Sequence, residues 1–247
     1  MAGHSKWANI KHRKEAQDNK KGKIFTKIAR ELTVAAKIGG GDPASNSRLR
    51  LALDKARAAN MPKDNVERAI KKGTGEGNDQ VFEDITYEGY APGGVGILVK
   101  TLTDNRNRTI MEVRTVITKR GGSMAEAGSV AWQFENKGII EVPVTACSED
   151  DIMNYALEAG AEDVVTDGDI YSITTEPSEF ENVKKHLEEN NIQIDFAELS
   201  MKPKTTIDVE GEAAKKLIAL VEALEDLDDV QEVYGNYKID DSVFDEL

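Results

Sequence analysis

The stretch Gly3-His4-Ser5-Lys6-Trp7-Ala8-Asn9-Ile10-Lys11-His12-Arg13-Lys14 interleaves four cations with two imidazoles and one indole. Clustered Lys and Arg neutralise phosphates, and an exposed indole stacks on an unpaired base, so this mixture fits a nucleic-acid grip. The other reading of Trp7 is that it and Ile10 pin the arm to the rest of the chain. Beyond Lys20 and Lys21 the cations become periodic. Lys20, Lys23, Lys27, Arg30, Val34 and Lys37 follow one another at intervals of three and four, which places them on one side of a helix. Such a run is often only a solvated face. Here the sole nearby acid is Glu31 and the run continues a basic segment, so contact with nucleic acid is expected.

Asp104-Asn105-Arg106-Asn107-Arg108 offers a second site. Asp104 and Asn105 suit a helix N-cap. Arg106 and Arg108 would then sit in the first turn, where cations oppose the helix dipole by about 0.3 to 1 kcal/mol each. An anionic ligand or a neighbouring carboxylate must offset them, which makes the pair a candidate second anion site.

Catalysis finds less support. The acidic runs Glu149-Asp150-Asp151 and Glu225-Asp226-Leu227-Asp228-Asp229 could hold metals for a nuclease, yet both fall at predicted helix ends, where acid has ordinary dipole and solubility explanations. Outside the basic arm the only histidine is His186. His4 and His12 lack the cysteines or carboxylates that would complete a metal site. Cys147, the one cysteine, has no histidine near it in sequence and cannot form an internal disulfide, in keeping with a reducing compartment. Gly39-Gly40-Gly41 lacks the strand and the Lys-Ser/Thr pair of a phosphate loop. No cofactor, metal or catalytic residue is expected.

Charge divides the chain. Residues 1–73 hold 18 Lys+Arg against 7 Asp+Glu, and the remainder 14 against 38, giving +11 and −24 within a total of −13. One end seeks polyanions and the other repels them, a split that the overall pI near 4.8 conceals. No apolar run approaches the roughly 20 residues of a spanning helix, and the start lacks an apolar signal region. A cytoplasmic protein without membrane contact is expected.

Residues 3–22 have too few apolar positions to bury a face, so the arm is expected to stay mobile until it meets its partner. Helical spacing of Ile24, Ile28, Leu32 and Ala35 predicts a helix over about 23–38. Ser47 is placed to cap a second helix carrying Leu49, Ala52, Leu53 and Ala56, flanked by Arg48, Arg50, Lys55 and Arg57. Pro62 opens a third, with Val66, Ala69 and Ile70 inward and Gly73 as its stop. Thr74 to Gln80 reads as a linker. Strands follow at 81–88 and 97–99 around the Ala91-Pro92-Gly93-Gly94 turn, then a helix at 107–119 and a strand at 130–134. From Ile139 to Met201 the order is β-α-β-β-α-β, the ferredoxin-like succession; a further β-α-β over 206–238 would complete the half left open at 134. The expectation is an α+β protein with an N-terminal three-helix basic domain and two ferredoxin-like βαββαβ domains, one inserted in the other: a basic helical domain (1–78), a discontinuous α+β domain (79–136 and 204–247), and an inserted ferredoxin-like domain (137–203).

The opening Gly3 to Lys11, together with Tyr87-Glu88-Gly89-Tyr90-Ala91-Pro92-Gly93-Gly94-Val95 and Thr103-Asp104-Asn105-Arg106-Asn107-Arg108-Thr109, resembles the YebC family of gene-expression regulators, which has mitochondrial relatives. The resemblance implies a non-enzymatic, nucleic-acid-directed protein: a DNA-binding transcriptional regulator, or else a ribosome-associated translation factor using the same basic domain on ribosomal RNA. A metal-dependent nuclease is the enzymatic alternative. The residues expected to bind are His4, Lys6, Trp7, Lys11, His12, Arg13, Lys14, Lys20, Lys21, Lys23, Lys27, Arg30 and Lys37, with Arg106 and Arg108 as the second site. No apolar seam for dimerisation is evident, so a monomer is expected, with the acidic domains available to the ribosome or another protein. The aromatic-bearing arm suits folded RNA.

Overall fold

The computed structural model describes residues 18–75, 81–239 and 243. Three helices come first, α1 (Asp18–Gly39), α2 (Ser47–Ala58) and α3 (Lys63–Thr74). Then follow β1 (Glu83–Ala91), β2 (Val95–Thr103), α4 (Arg106–Lys119) and β3 (Ser123–Met124). An inserted stretch holds β4 (Phe134–Pro143), α5 (Glu149–Glu158), β5 (Ala161–Asp167), β6 (Ile170–Thr175), α6 (Phe180–Glu189) and β7 (Phe196–Pro203). The chain ends with β8 (Ile207–Val209), α7 (Gly211–Glu225), β9 (Val230–Gly235) and β10 (Tyr237–Ile239). The protein is therefore α+β. Gln133–Thr205 forms one compact unit, and the helices and strands before and after it form the other.

In the bundle, Leu32, Ala35 and Ala36 of α1 pack with Leu49, Ala52 and Ala56 of α2 and Ala69 of α3. So many alanines let the helices approach closely, and at Gly73 there is no room for a side chain. A Cβ there would lie 2.3 Å from the Thr33 carbonyl oxygen. Gly73 is thus a crossing point rather than a helix stop, and α3 runs on to Thr74. Likewise the cap of α2 is Asn46, not Ser47. Its Oδ1 accepts from the Leu49 amide at 3.0 Å, while its Nδ2 donates to the Ala35 and Gly40 carbonyls, both at 2.8 Å. One buried amide satisfies the start of α2 and the end of α1 together. Helix α1 also begins at Asp18 instead of Lys23, and Val34, the apolar member of the basic stripe, is buried.

The sheet of this unit runs β3-β1-β2-β9, antiparallel throughout, beside a two-stranded parallel β8–β10 pair. Val113 and Ile117 of α4 and Leu217, Leu220, Val221 and Leu224 of α7 share one core with Val95, Ile97 and Val99 of β2. The spatial order is that of a ferredoxin-like sheet, but the chain order is permuted, ββαβ before the insertion and βαββ after it. The reason is local: Gly93 and Gly94 adopt φ of +86° and +76°, a conformation open to glycine, and fold β1 directly onto β2. The third strand is Ser123–Met124. Val130 is buried, residues 131–133 form a 3₁₀ turn, and Phe134 already opens β4, so the expected strand at 130–134 does not form.

The inserted unit has the sheet order β5-β6-β4-β7, again antiparallel, which with α5 and α6 is the βαββαβ arrangement read from the sequence. Ile140, Val142, Ile173, Ile152, Ala156, Phe180, Val183 and Leu187 are buried in it. It carries 17 Asp+Glu against five Lys+Arg. Ser148 caps α5 by accepting from the Asp151 amide, as expected.

Candidate nucleic-acid interface

The basic stripe of α1 meets its acids across a long sequence interval. Lys23 Nζ lies 3.3 Å from Asp226 Oδ1 and from the Asp226 carbonyl oxygen. Lys27 Nζ donates to the Glu225 carbonyl. Arg30 Nη1 donates to the carbonyls of Leu102 and Asp228, each at 3.0 Å, and to Asp229 Oδ1 at 2.7 Å, with its guanidinium 5.5 Å from the Phe82 ring centroid. The last carbonyls of α7 carry the negative end of the helix dipole, which is where cations are favourable. Within this unit, therefore, much of the stripe is engaged with protein.

Asp229 is the centre of that corner. Its side chain is 2% exposed, and its Oδ2 accepts from Thr109 Oγ1 at 2.7 Å, Arg108 Nη2 at 2.6 Å and Thr103 Oγ1 at 3.0 Å. Burial alone would raise its pKa, but the hydrogen bonds from Thr109, Arg108, Thr103 and Arg30 outweigh burial and hold it below the usual carboxylate value. Arg108 also pairs with Asp104 at 2.9 Å, while Asn105 caps α4 by accepting from the Arg108 amide at 3.1 Å. The run Thr103 to Thr109 is thus a clasp around an internal carboxylate, and that carboxylate is what offsets Arg108. A cleft of about 400 Å³ opens here, lined by Arg30, Arg108, Glu112, Asp226, Asp228 and Asp229 among others. Its carboxylates disfavour a free anion. Arg106 is exposed and has no ion pair among the described residues.

Two more pairs fasten the bundle to the sheet. Arg48 holds Glu31 at 2.6 and 3.1 Å and Asp84 at 2.9 and 3.0 Å; the Glu31 bonds, opposed by burial and helped by Asp84, raise its pKa above the ordinary arginine value. Lys55 pairs with Glu232, which also accepts from the Tyr234 hydroxyl. Burial pushes Glu232 upward, but the charges of Lys55 and Lys100 and these hydrogen bonds bring it down to about 2.

Residues 5–76 match the TACO1/YebC protein N-terminal domain, and residues 82–237 match the TACO1/YebC second and third domain. The chain belongs to the TACO1/YebC family. A "probable transcriptional regulatory protein" of Carboxydothermus hydrogenoformans is 54% identical over 98% of this chain and 100% of its own length. One from Kosmotoga olearia, with the same name, is 55% identical over 100% and 98%. Among solved structures, a conserved hypothetical protein from Aquifex aeolicus superposes with a TM-score of 0.81 at 48% identity, covering 91% of this chain and 93% of that one.

For this TACO1/YebC chain, the residues His4, Lys6, Trp7, Lys11, His12, Arg13 and Lys14 lie outside the described residues, as does most of the expected linker. Lys20 and Lys21 belong to α1, and Lys37 is exposed near its end. The surface that sequence reasoning overlooked is the outer side of α3, where Lys63, Arg68, Lys71 and Lys72 are all exposed. The signal was available: with Val66, Ala69 and Ile70 inward, helical spacing turns Arg68, Lys71 and Lys72 outward.

Chemistry elsewhere is quiet. Among the described residues no group of three or more His, Cys, Asp or Glu is placed to hold a metal ion. Burial, seconded by Asp151, pushes the Cys147 thiol up and away from the reactive thiolate. No described helix is long and apolar enough to cross a membrane.

Proposed function

We propose that this chain regulates gene expression by binding nucleic acid, without catalysing a reaction, and that residues 1–78 act as the gripping domain. The observation that carries this reading is the charge split, +11 over residues 1–73 against −24 beyond. Because Lys23, Lys27 and Arg30 are engaged with the acidic corner, the grip is assigned to the arm (Lys6, Lys11, Arg13, Lys14) and to the outer side of α3 (Arg68, Lys71). The names of the relatives favour transcription, a reading that would put the grip on DNA. The alternation of Trp7, His4 and His12 with cations favours RNA, and with it a translational role on the ribosome. Crosslinking in cells followed by sequencing of the attached nucleic acid decides between them. Discrete promoter fragments without ribosomal RNA support transcription. Enrichment of one ribosomal RNA region, lost when Lys6, Trp7 and Lys11 become alanine, supports translation. Recovery of neither contradicts the reading.

A further inference from the structure

Tyr90 and Trp132 lie 42 positions apart yet share one acceptor. Tyr90 Oη donates to the Ser129 carbonyl at 3.4 Å, and Trp132 Nε1 donates to the same oxygen at 2.9 Å. The polar edges of the two rings therefore converge on one oxygen, and the residues are 37% and 66% exposed. Their polar tips are already bonded to the protein, so what they offer a partner is aromatic surface. The loop that presents them is held from beneath. The Glu88 carboxylate, 7% exposed, accepts from the amides of Gly128 and Val130, each at 2.6 Å, and of Ala131 at 2.9 Å. Burial would raise Glu88, but these three amides keep it below its ordinary pKa and ionised. An ionised carboxylate is thus committed to holding one short loop in one shape, and that loop ends on a largely exposed tryptophan.

We propose that Tyr90 and Trp132 form a stacking platform for unpaired nucleobases. The inference rests on the nucleic-acid reading above and adds a contact outside the N-terminal domain. A protein partner would need about 800 Å² from each side for a stable interface, far more than two rings supply, whereas one or two bases need no more than that. The surrounding charge also fits. Chain runs from Lys119 and Arg120 through Gly121-Gly122 to Ser123, the register partner of Tyr90. Lys119 and Arg120 are exposed and have no ion pair among the described residues. A strand stacked on the rings thus has cations close along the chain for its phosphates. Because neither ring has a free donor to read a base edge, the platform takes any base, and single strands rather than duplex.

The chain's two tryptophans are Trp7 and Trp132, so the full-length Trp7→Phe protein reports on Trp132 alone. Its emission is followed during titration with single-stranded oligo(A) RNA, oligo(dA) DNA and a matched duplex. Saturable quenching by single strands and not by duplex is expected; quenching by RNA alone assigns the platform to RNA, and equal quenching to single strands of either sugar. In the otherwise unchanged chain, Trp132→Ala is expected to weaken single-strand binding about 5- to 150-fold, with Trp132→Phe restoring most of it and neither shifting the thermal midpoint. Unchanged affinity in Trp132→Ala, or unperturbed emission at saturation, overturns the platform. If arm variants still abolish binding in that case, the broader reading stands without it. If the wild-type chain binds no nucleic acid, both fall. A protein that copurifies with wild type and is lost in Trp132→Ala, with RNA affinity unchanged, would reassign the rings and overturn the proposal.

Discussion

Asp229 and Glu88 are two buried carboxylates serving the same sheet, and they spend themselves differently. Asp229 draws in side chains, Arg30 from α1, Thr103 from the end of β2, and Arg108 and Thr109 from the start of α4, so each cation it holds is one fewer for an outside phosphate. Glu88 draws in backbone amides; it consumes no cation and leaves Trp132, at the end of its loop, largely exposed. The first engages cations within the fold, while the second holds in place a loop that ends on an exposed tryptophan. A charged residue's sequence neighbourhood therefore says less about its role than the carboxylate it folds against.

Removing Asp229 should have the largest effect. Asp229→Ala strands two arginines and two hydroxyls at the corner and is expected to cost about 3 to 5 kcal/mol in urea unfolding. If the cost were below about 1 kcal/mol, comparable to an exposed pair, Asp229 would not be the hub described.

Acid should loosen the same attachment. Asp229 and Glu232 both have folded pKa values below their ordinary ones. A depressed carboxylate contributes stability that is complete above its unfolded pKa and is lost as pH falls through the folded value. Stability should thus hold above about pH 4.5 and fall as pH approaches about 2, where Glu232 titrates. Glu232→Gln should flatten part of that fall in acid titrations followed by circular dichroism. An unchanged acid limb would remove Glu232 from the account.

On the Glu88 side the effect should be smaller and local. Glu88→Ala leaves three amides to find water and is expected to cost about 1 to 3 kcal/mol. The anisotropy of Trp132 emission in the Trp7→Phe background should fall as the loop loosens; unaltered anisotropy would mean the carboxylate does not hold the loop.

The legible parts of the fold were those governed by short-range patterning. Ile140, Val142 and Ile173 alternate along their strands and Val183 and Leu187 recur at helical spacing, which made the inserted βαββαβ unit readable. The Pro92-Gly93-Gly94 turn was visible, but the sheet it builds was not, because the two-residue β3 is too short to show any period. Asn46 and Ser47 are equally good caps by composition, and only the Ala35 and Gly40 carbonyls select between them. The stripe on α1 was correctly placed on one side of its helix, but the partners of Lys23 and Arg30 lie about 200 residues away, beyond any local signal. Arg108 was the closer reading: its position in the first turn demanded a counter-charge, and Asp229 and Asp104 supply it.

The smallest structural effect is expected on the outer side of α3. Arg68→Ala and Lys71→Ala should change stability by less than about 0.5 kcal/mol, while each lowers the salt dependence of nucleic-acid binding by about one unit if it contacts a phosphate. Binding unaffected by either would restrict the grip to the arm.

The division between engaged and available cations is tested most directly by the slope of log affinity against log salt, measured on full-length chains. Replacing Lys6, Lys11, Arg13 and Lys14 together with alanine should lower that slope by about 3 to 4 units. Replacing Lys23 and Lys27, which are bound to the end of α7, should change it by less than about 1. A slope that is insensitive to the arm and collapses when Lys23 and Lys27 are removed would contradict the account.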